Sequence, residues 1–165
     1  MKKIIVIGCP GSGKSVFSKK LEKITKIPLY HIDMLYHNED GTHITKEELE
    51  EKYKEIFKND TWIIDGNYQK TLEIRLKECD TVFLLDLPTD ICIAGAESRI
   101  GCKRDDLPWV EDKFDEEFKK AIINFSKEKL PQTYLLLDKY KEKINIVIFK
   151  RREESDKYLE KLDIK

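Results

Sequence analysis

Five short apolar runs punctuate the chain: Ile4-Ile5-Val6-Ile7, Leu29-Tyr30-His31-Ile32, Thr61-Trp62-Ile63-Ile64, Thr81-Val82-Phe83-Leu84-Leu85 and Ile144-Asn145-Ile146-Val147-Ile148-Phe149. Each has strand length and carries no charge, the pattern of strands covered on both faces. Between them apolar residues recur at helical spacing. Helices are expected over Val16 to about Lys26, from a capping box at Thr45-Lys46-Glu47-Glu48 through Leu49, Tyr53, Ile56 and Phe57, and through Leu72, Ile74 and Leu76. Further helices are expected from Asp90 to about Ile100 with Thr89 as cap, over about 115–127, over about 131–141 with Pro131 in a first turn, and over about 153–162. The segment Met34 to Thr42 is polar and aromatic, with turn residues Asn38 and Gly41, and is expected to be irregular. Strands alternating with helices give a five-stranded parallel sheet, and right-handed crossovers make it a doubly wound three-layer α/β/α fold. No repeat or linker interrupts residues 1–165, which are expected to form one domain.

The first loop has the most specific chemistry. Gly8-Cys9-Pro10-Gly11-Ser12-Gly13-Lys14-Ser15 is a full G-x-x-x-x-G-K-[ST] match, preceded by an apolar strand and followed by a helix that opens at Val16. Glycines let consecutive N–H groups curve around an anion, and the helix adds unpaired N–H groups and the positive end of its dipole. Lys14 is expected to reach the β- and γ-phosphates of ATP, and the Ser15 hydroxyl to ligate Mg²⁺. The plainer reading is a glycine-rich turn between a core strand and a helix.

Composition narrows the setting. Hydrophobic residues make up 40% and charged residues 38%, as in a soluble protein with a heavily charged surface. The net charge of −1 gives no global bias toward nucleic acid or anionic membrane, and no apolar run reaches membrane-spanning length. The four cysteines form no C-x-x-C pair and the histidines lie elsewhere, which argues for reduced thiols, a cytoplasmic setting and no zinc finger.

Strand ends hold the other candidates, where open α/β sheets bind ligands: Asp33, Asp65 and Asp86. A carboxylate at Asp65, facing the loop, suits a metal that bridges two phosphates; its alternative is an Asp-Gly turn. Asp33 is placed to hold metal-bound water or substrate, or to orient an acceptor hydroxyl. Asp86 is either a cap or turn residue or a third carboxylate of the site.

With the P-loop, Asp33-Met34-Leu35, Asp65-Gly66 and Arg99…Arg104-Asp105-Asp106, the chain resembles the P-loop kinases of small molecules, adenylate kinase and its nucleoside-monophosphate-kinase relatives in particular. Ile64-Asp65-Gly66-Asn67-Tyr68, Arg99-Ile100-Gly101 and Leu107-Pro108-Trp109 are similar more narrowly to the adenylate-kinase-related bacterial proteins labelled "DNA topology modulation protein". The resemblance implies a nucleotide-kinase-like fold with a short lid over about 100–113, which lacks the cysteine set of zinc-bearing lids. It implies Mg²⁺ held by Ser15 and, through water, by Asp65, and a transferring phosphoryl group clamped by Arg99 and Arg104, with Lys113 as a third cation; a solvated charged face is the competing account of these cations. It also implies contacts to ATP from Gly8, Pro10, Gly11, Ser12, Gly13, Lys14, Ser15, Val16 and Arg99, with Arg151 in the Lys150-Arg151-Arg152 cluster beside the adenine.

The acceptor side departs from that family. Tyr36 stands where adenylate kinases place an arginine, and Asp65-Gly66-Asn67-Tyr68-Gln69-Lys70 replaces an Asp-Gly-Phe-Pro-Arg pattern. Lys70 or Arg75 could restore charge but not a planar fork at the same position. His31, Tyr36, His37, Asn67 and Tyr68 are the candidate lining of an acceptor pocket. The expected activity is a Mg-ATP-dependent kinase whose acceptor is a nucleoside monophosphate or a hydroxyl metabolite, in a monomer or weak dimer. The alternatives are an ATP-binding regulator of DNA topology, which the charge does not support, and a paralogue that binds nucleotide without turnover.

Overall fold

The computed structural model describes residues 1–164. Strands β1 (Lys3–Gly8), β2 (Leu29–His31), β3 (Trp62–Asp65), β4 (Thr81–Leu85) and β5 (Asn145–Phe149) form one sheet in the order β2-β3-β1-β4-β5. Every pair is parallel, and Ile5 lies opposite Ile64 on one side and Val82 on the other. The helices are α1 (Lys14–Thr25), α2 (Ile32–Tyr36), α3 (Lys46–Phe57), α4 (Leu72–Glu78), α5 (Thr89–Glu97), α6 (Glu116–Asn124), α7 (Leu130–Tyr140) and α8 (Arg152–Asp163).

Because side chains alternate along a strand, β1 feeds two cores. Ile4 and Val6 join Phe17, Leu21, Phe83, Phe149 and Leu159 under α1 and α8. Ile5 and Ile7 join Leu49, Tyr53, Trp62, Leu76 and Leu137 under α3, α4 and α7. The three-layer expectation is met. Phe17 packs its ring 5.0 Å from Phe83 and 5.5 Å from Phe149, contacts worth about 0.5–1.5 kcal/mol each beyond burial. They fix α1 on the sheet and hold its first turn in place. A smaller cluster of Cys9, Leu87, Cys92, Ala96, Ile122 and Phe125 seats α5 and α6 at the carboxyl end of the strands.

Three local expectations change. The second strand stops at His31, and the chain turns at once into α2, because Ile32 packs its Cβ against the bare α-carbon of Gly66 and Asp33 suits a first helical turn. Thr89 is the first residue of α5 rather than its cap; Pro88 holds that position, and the helix stops at Glu97. Two separate helices were expected around Pro131, but α6 and α7 are joined by a π-helical turn over Phe125–Lys129. The wider turn accommodates a proline that cannot donate to the preceding turn. The capping box at Thr45 forms in full, with Glu48 N–H donating to Thr45 Oγ1 and Thr45 N–H to Glu48. Among the described residues no helix is long and apolar enough to cross a membrane.

Candidate nucleotide and acceptor cleft

The loop between β1 and α1 takes its shape from close backbone contacts. Gly11 has φ +82°, and a Cβ there would stand 1.9 Å from the Cys92 carbonyl oxygen of α5. Gly95, one turn on, packs against the Gly11 carbonyl, which also accepts a hydrogen bond from Arg152 Nη2 at 3.1 Å. On the other side, the Asn67 amide grips Gly8 twice: Gly8 N–H donates to Asn67 Oδ1 at 3.0 Å, and Asn67 Nδ2 donates to the Gly8 carbonyl at 2.6 Å. The loop is thus fastened from β3, α5 and α8. Cys9 and Cys92 are buried against it, and all four cysteines are free. Donation of its S–H to Cys92, helped by burial, pushes the Cys9 thiol pKa far up, so Cys9 stays protonated.

Two cavities open from the loop. One, of about 420 Å³, is lined by the loop and α1 from Gly11 to Phe17, by Lys19 and Lys20, and by Arg152, Ser155 and Asp156 of α8. The other, of about 530 Å³, is lined by the ends of β2 and β3 with Asp33, Tyr36, His37, Asn67 and Tyr68, and by Trp109 and Phe118. Both volumes suit a small organic ligand. Lys14, Ser15, Arg99, Arg104 and Asp106 line both, so the two spaces meet at these five side chains.

At the junction the two arginines are already paired. Arg104 binds Asp106 in a two-bond fork, with Nε–Oδ1 at 2.9 Å and Nη2–Oδ2 at 2.5 Å, and donates from Nη1 to Glu111 Oε2 at 2.8 Å. Arg99 Nε lies 3.2 Å from the same Glu111 oxygen, and its guanidinium sits 5.7 Å over the Phe118 ring. Burial would raise the Asp106 pKa, but the hydrogen bonds and charge of Arg104 hold the carboxyl well below the ordinary carboxylate range. Asp33 moves the opposite way: burial raises its pKa against the pull of Lys14. Its side chain keeps about half its surface accessible inside the cavity.

Asp65 is buried to 3% exposure at the end of β3. Its Oδ2 accepts the Ser15 hydroxyl at 2.9 Å and lies 2.7 Å from His31 Nδ1, while its Oδ1 has no partner. A hydroxyl, a buried carboxylate and an unpaired oxygen beside the phosphate loop fit the Mg²⁺ ion of a nucleotide.

The sequence-derived candidates therefore converge in large part. Lys14, Ser15, Arg99, Arg104, Asp33 and Asp65 all line the cleft, as do Gly11, Ser12, Gly13 and Val16 on the nucleotide side. Pro10 faces the second cavity instead, and Gly8 lies behind the loop under Asn67. Arg151 lines neither cavity: it is exposed at the start of α8, where Glu154 accepts its N–H, and Arg152 is the residue that reaches the loop. Asp86 caps nothing; it accepts the Tyr134 hydroxyl at 2.5 Å and pairs with Lys150, tying β4 to β5 and α7. Arg75 is fully buried and donates to the carbonyls of Gly66, Asn67 and Tyr68, so it is no acceptor cation. Lys113 lines neither cavity. Asp106, Glu111 and Arg152 were not singled out from the sequence as site residues, although Asp106 and Glu111 lay within the expected lid and Arg152 within the basic cluster after β5.

Comparison with known proteins agrees with the fold. In overall structure the chain is similar to shikimate kinase from Acinetobacter baumannii in complex with shikimate, with a TM-score of 0.61 and 16% identity over 98% of this chain and 90% of that one. It is also similar to shikimate kinase from Bacteroides thetaiotaomicron, with a TM-score of 0.58 and 15% identity over 98% and 96%. The fold is that of a P-loop kinase. In sequence it is 33% identical over 88 residues to the adenylate kinases of Thermotoga petrophila and Thermotoga maritima. That alignment takes in 52% of this chain and 39% of each relative, so the chain matches about two-fifths of their length. The family described as "Chromatin associated protein KTI12" matches residues 1–64, the stretch from β1 into β3.

Proposed function

We propose that the protein is an ATP-dependent kinase that transfers the γ-phosphoryl group to a hydroxyl of a small acceptor. One observation carries this reading: a cavity on the phosphate loop and a second cavity at the ends of β2 and β3 meet at Lys14, Ser15, Arg99, Arg104 and Asp106. A purely nucleotide-binding switch needs the first cavity alone. Similarity to adenylate and shikimate kinases supports phosphoryl transfer in general, and residues 1–64, which match the chromatin-associated family, are common to both readings.

In this reading, N–H groups of the loop and Lys14 hold the β- and γ-phosphates. A Mg²⁺ ion held by Ser15 and Asp65 would supply charge neutralisation across those phosphates. Arg99 and Arg104 exchange part of their pairing with Glu111 and Asp106 for the oxygens of the moving phosphoryl group. Residues 100–113 act as a short lid, held over the cleft by the Lys19–Asp105 ion pair at 2.9 Å and by Trp109 edge-on to His37 at 5.0 Å. Exclusion of water there favours the acceptor over hydrolysis.

A hydroxyl suits the acceptor side better than a phosphate. Arg75 is spent on backbone carbonyls, Lys70 and Lys129 line the cavity without the planar fork that grips a phosphate, and Asp33 sets a carboxylate among the lining residues that suits an acceptor hydroxyl. Asp33 orients the acceptor O–H and takes up its proton as the oxygen–phosphorus bond forms and the bond to ADP breaks. The narrower likeness to topology modulation proteins adds no acceptor and no DNA-binding surface.

The test is ADP production from Mg·ATP with a panel of neutral hydroxyl compounds beside nucleoside monophosphates. A hydroxyl compound is expected to stimulate turnover well above the basal rate. Stimulation by monophosphates alone would contradict the acceptor assignment, and no stimulation by either class would count against the kinase reading.

A further inference from the structure

His31, Asp65 and Asp106 come from three separate segments, the ends of β2 and β3 and the irregular stretch after α5, yet each offers a ligand atom within 4.8 Å of the other two. The P-loop serine stands in the same group, since Ser15 hydrogen-bonds to Asp65. Asp65 is 97% buried by its 3% exposure and keeps Oδ1 without a partner, although a buried carboxylate oxygen ordinarily holds at least one. The His31 side chain is only 11% exposed, and its Nδ1 points at Asp65.

A Mg²⁺ ion alone does not explain the imidazole. Mg²⁺ prefers oxygen ligands, keeps several waters and takes one or two carboxylates plus phosphates. A nitrogen donor beside two carboxylates suits first-row transition ions, whose affinity for such sets rises from Mn²⁺ toward Cu²⁺. We infer that His31, Asp65 and Asp106 form a binding site for a divalent first-row transition ion, represented by Co²⁺ or Mn²⁺, that fills without nucleotide. Asp106 belongs to the stretch that also carries Arg104 and Glu111, so the bound ion ties that stretch to β2 and β3 before ATP arrives. The site shares Ser15 and Asp65 with the proposed kinase centre, but the inference rests on the ligand set and not on turnover.

The test is titration of the nucleotide-free protein with Co²⁺, followed by its visible absorption, and with Mn²⁺, followed by electron paramagnetic resonance, each in competition with Mg²⁺. Binding of a fluorescent ATP analogue is measured on the same samples. One Co²⁺ per chain is expected, held about tenfold or more tightly than Mg²⁺. His31→Ala is expected to weaken Co²⁺ by about tenfold or more while changing Mg²⁺ competition far less, and His43→Ala to leave Co²⁺ affinity unchanged. Should His31→Ala not fold, Asp106→Asn carries the same expectation for Co²⁺. Equal affinity for Co²⁺ and Mg²⁺, Co²⁺ binding only with ATP present, or a loss that follows His43 rather than His31 would overturn the inference. Tight Co²⁺ binding with no affinity for the ATP analogue would remove the kinase reading and leave the metal site standing.

Discussion

Gly95 of α5 presses its bare α-carbon against the carbonyl oxygen of Gly11 in the phosphate loop, where a Cβ would stand 2.1 Å from that oxygen and 2.8 Å from Arg152 Nη2. Alanine in a helix interior ordinarily gains about 1 kcal/mol over glycine. Here the expected sign is reversed: Gly95→Ala should lower stability by about 1–3 kcal/mol through overpacking and weaken ATP binding by displacing the loop. Urea denaturation and titration with a fluorescent ATP analogue check both effects. A more stable variant with unchanged affinity would show that α5 does not hold the loop.

Arg75 holds the turn after β3 from inside the protein. It has no carboxylate partner among the described residues, and it donates to three successive carbonyls, from Gly66 to Tyr68. Arg75→Met leaves the Gly66 and Asn67 carbonyls without this donor, while Tyr68 keeps its bonds from Thr71, and should cost on the order of 3 kcal/mol in denaturant unfolding. Arg75→Lys should recover little of that loss, because an ammonium cannot span the three acceptors as a planar fork does. A substitution that altered acceptor KM with stability intact would instead make Arg75 a binding residue.

Asp33 gives the proposed reaction a pH signature. Burial raises its pKa above the ordinary 3.8, against the opposing charge of Lys14. Activity that needs the carboxylate should therefore fall as pH drops through that raised value, and Asp33→Asn should abolish the acidic limb along with most turnover. The effect on stability has the opposite direction. A raised folded-state pKa favours the protonated form, so the contribution is fully present below pH 3.8 and is lost as pH rises through the folded value. Asp33→Asn should thus be more stable than wild type at neutral pH and no more stable at low pH, which thermal melts across pH would reveal.

Glu111 shares one oxygen between Arg99 and Arg104. Removing its charge with Glu111→Gln leaves both guanidiniums more available to phosphate oxygens. ATP affinity should rise two- to fivefold, the equivalent of about 0.5–1 kcal/mol. Equilibrium binding at fixed ionic strength decides the direction. Weaker binding would mean that Glu111 serves chiefly to order the stretch that carries Arg104.

The sheet and phosphate loop were legible because short-range rules determine them. Ile4 to Ile7 is an unbroken apolar run, and Gly8 to Ser15 needs its glycines and lysine at fixed spacing. Asp65 was legible for a related reason, since strand ends in such sheets face the ligand. The remainder depends on contacts between distant segments. Nothing local distinguishes Arg152, which reaches Gly11 across 141 positions, from its exposed neighbour Arg151. Asp106 joins His31 and Asp65 only once the stretch after α5 folds back over the strand ends. Arg75 read as a spare cation because the sequence does not reveal that its side chain turns inward to three carbonyls. Pro131 was read correctly as a helix-start residue, but the π-helical turn that joins its helix to the preceding one has no local signature.

The most direct test follows the phosphoryl group itself, using ATP labelled in its γ-phosphoryl group, wild type beside Lys14→Ala. If Lys14 stands where donor and acceptor spaces meet, label should appear in the acceptor in equal amount with ADP, and Lys14→Ala should slow its transfer by about 100-fold or more. Label released only as inorganic phosphate, whatever acceptor is offered, or transfer that survives Lys14→Ala at the wild-type rate, would contradict the account.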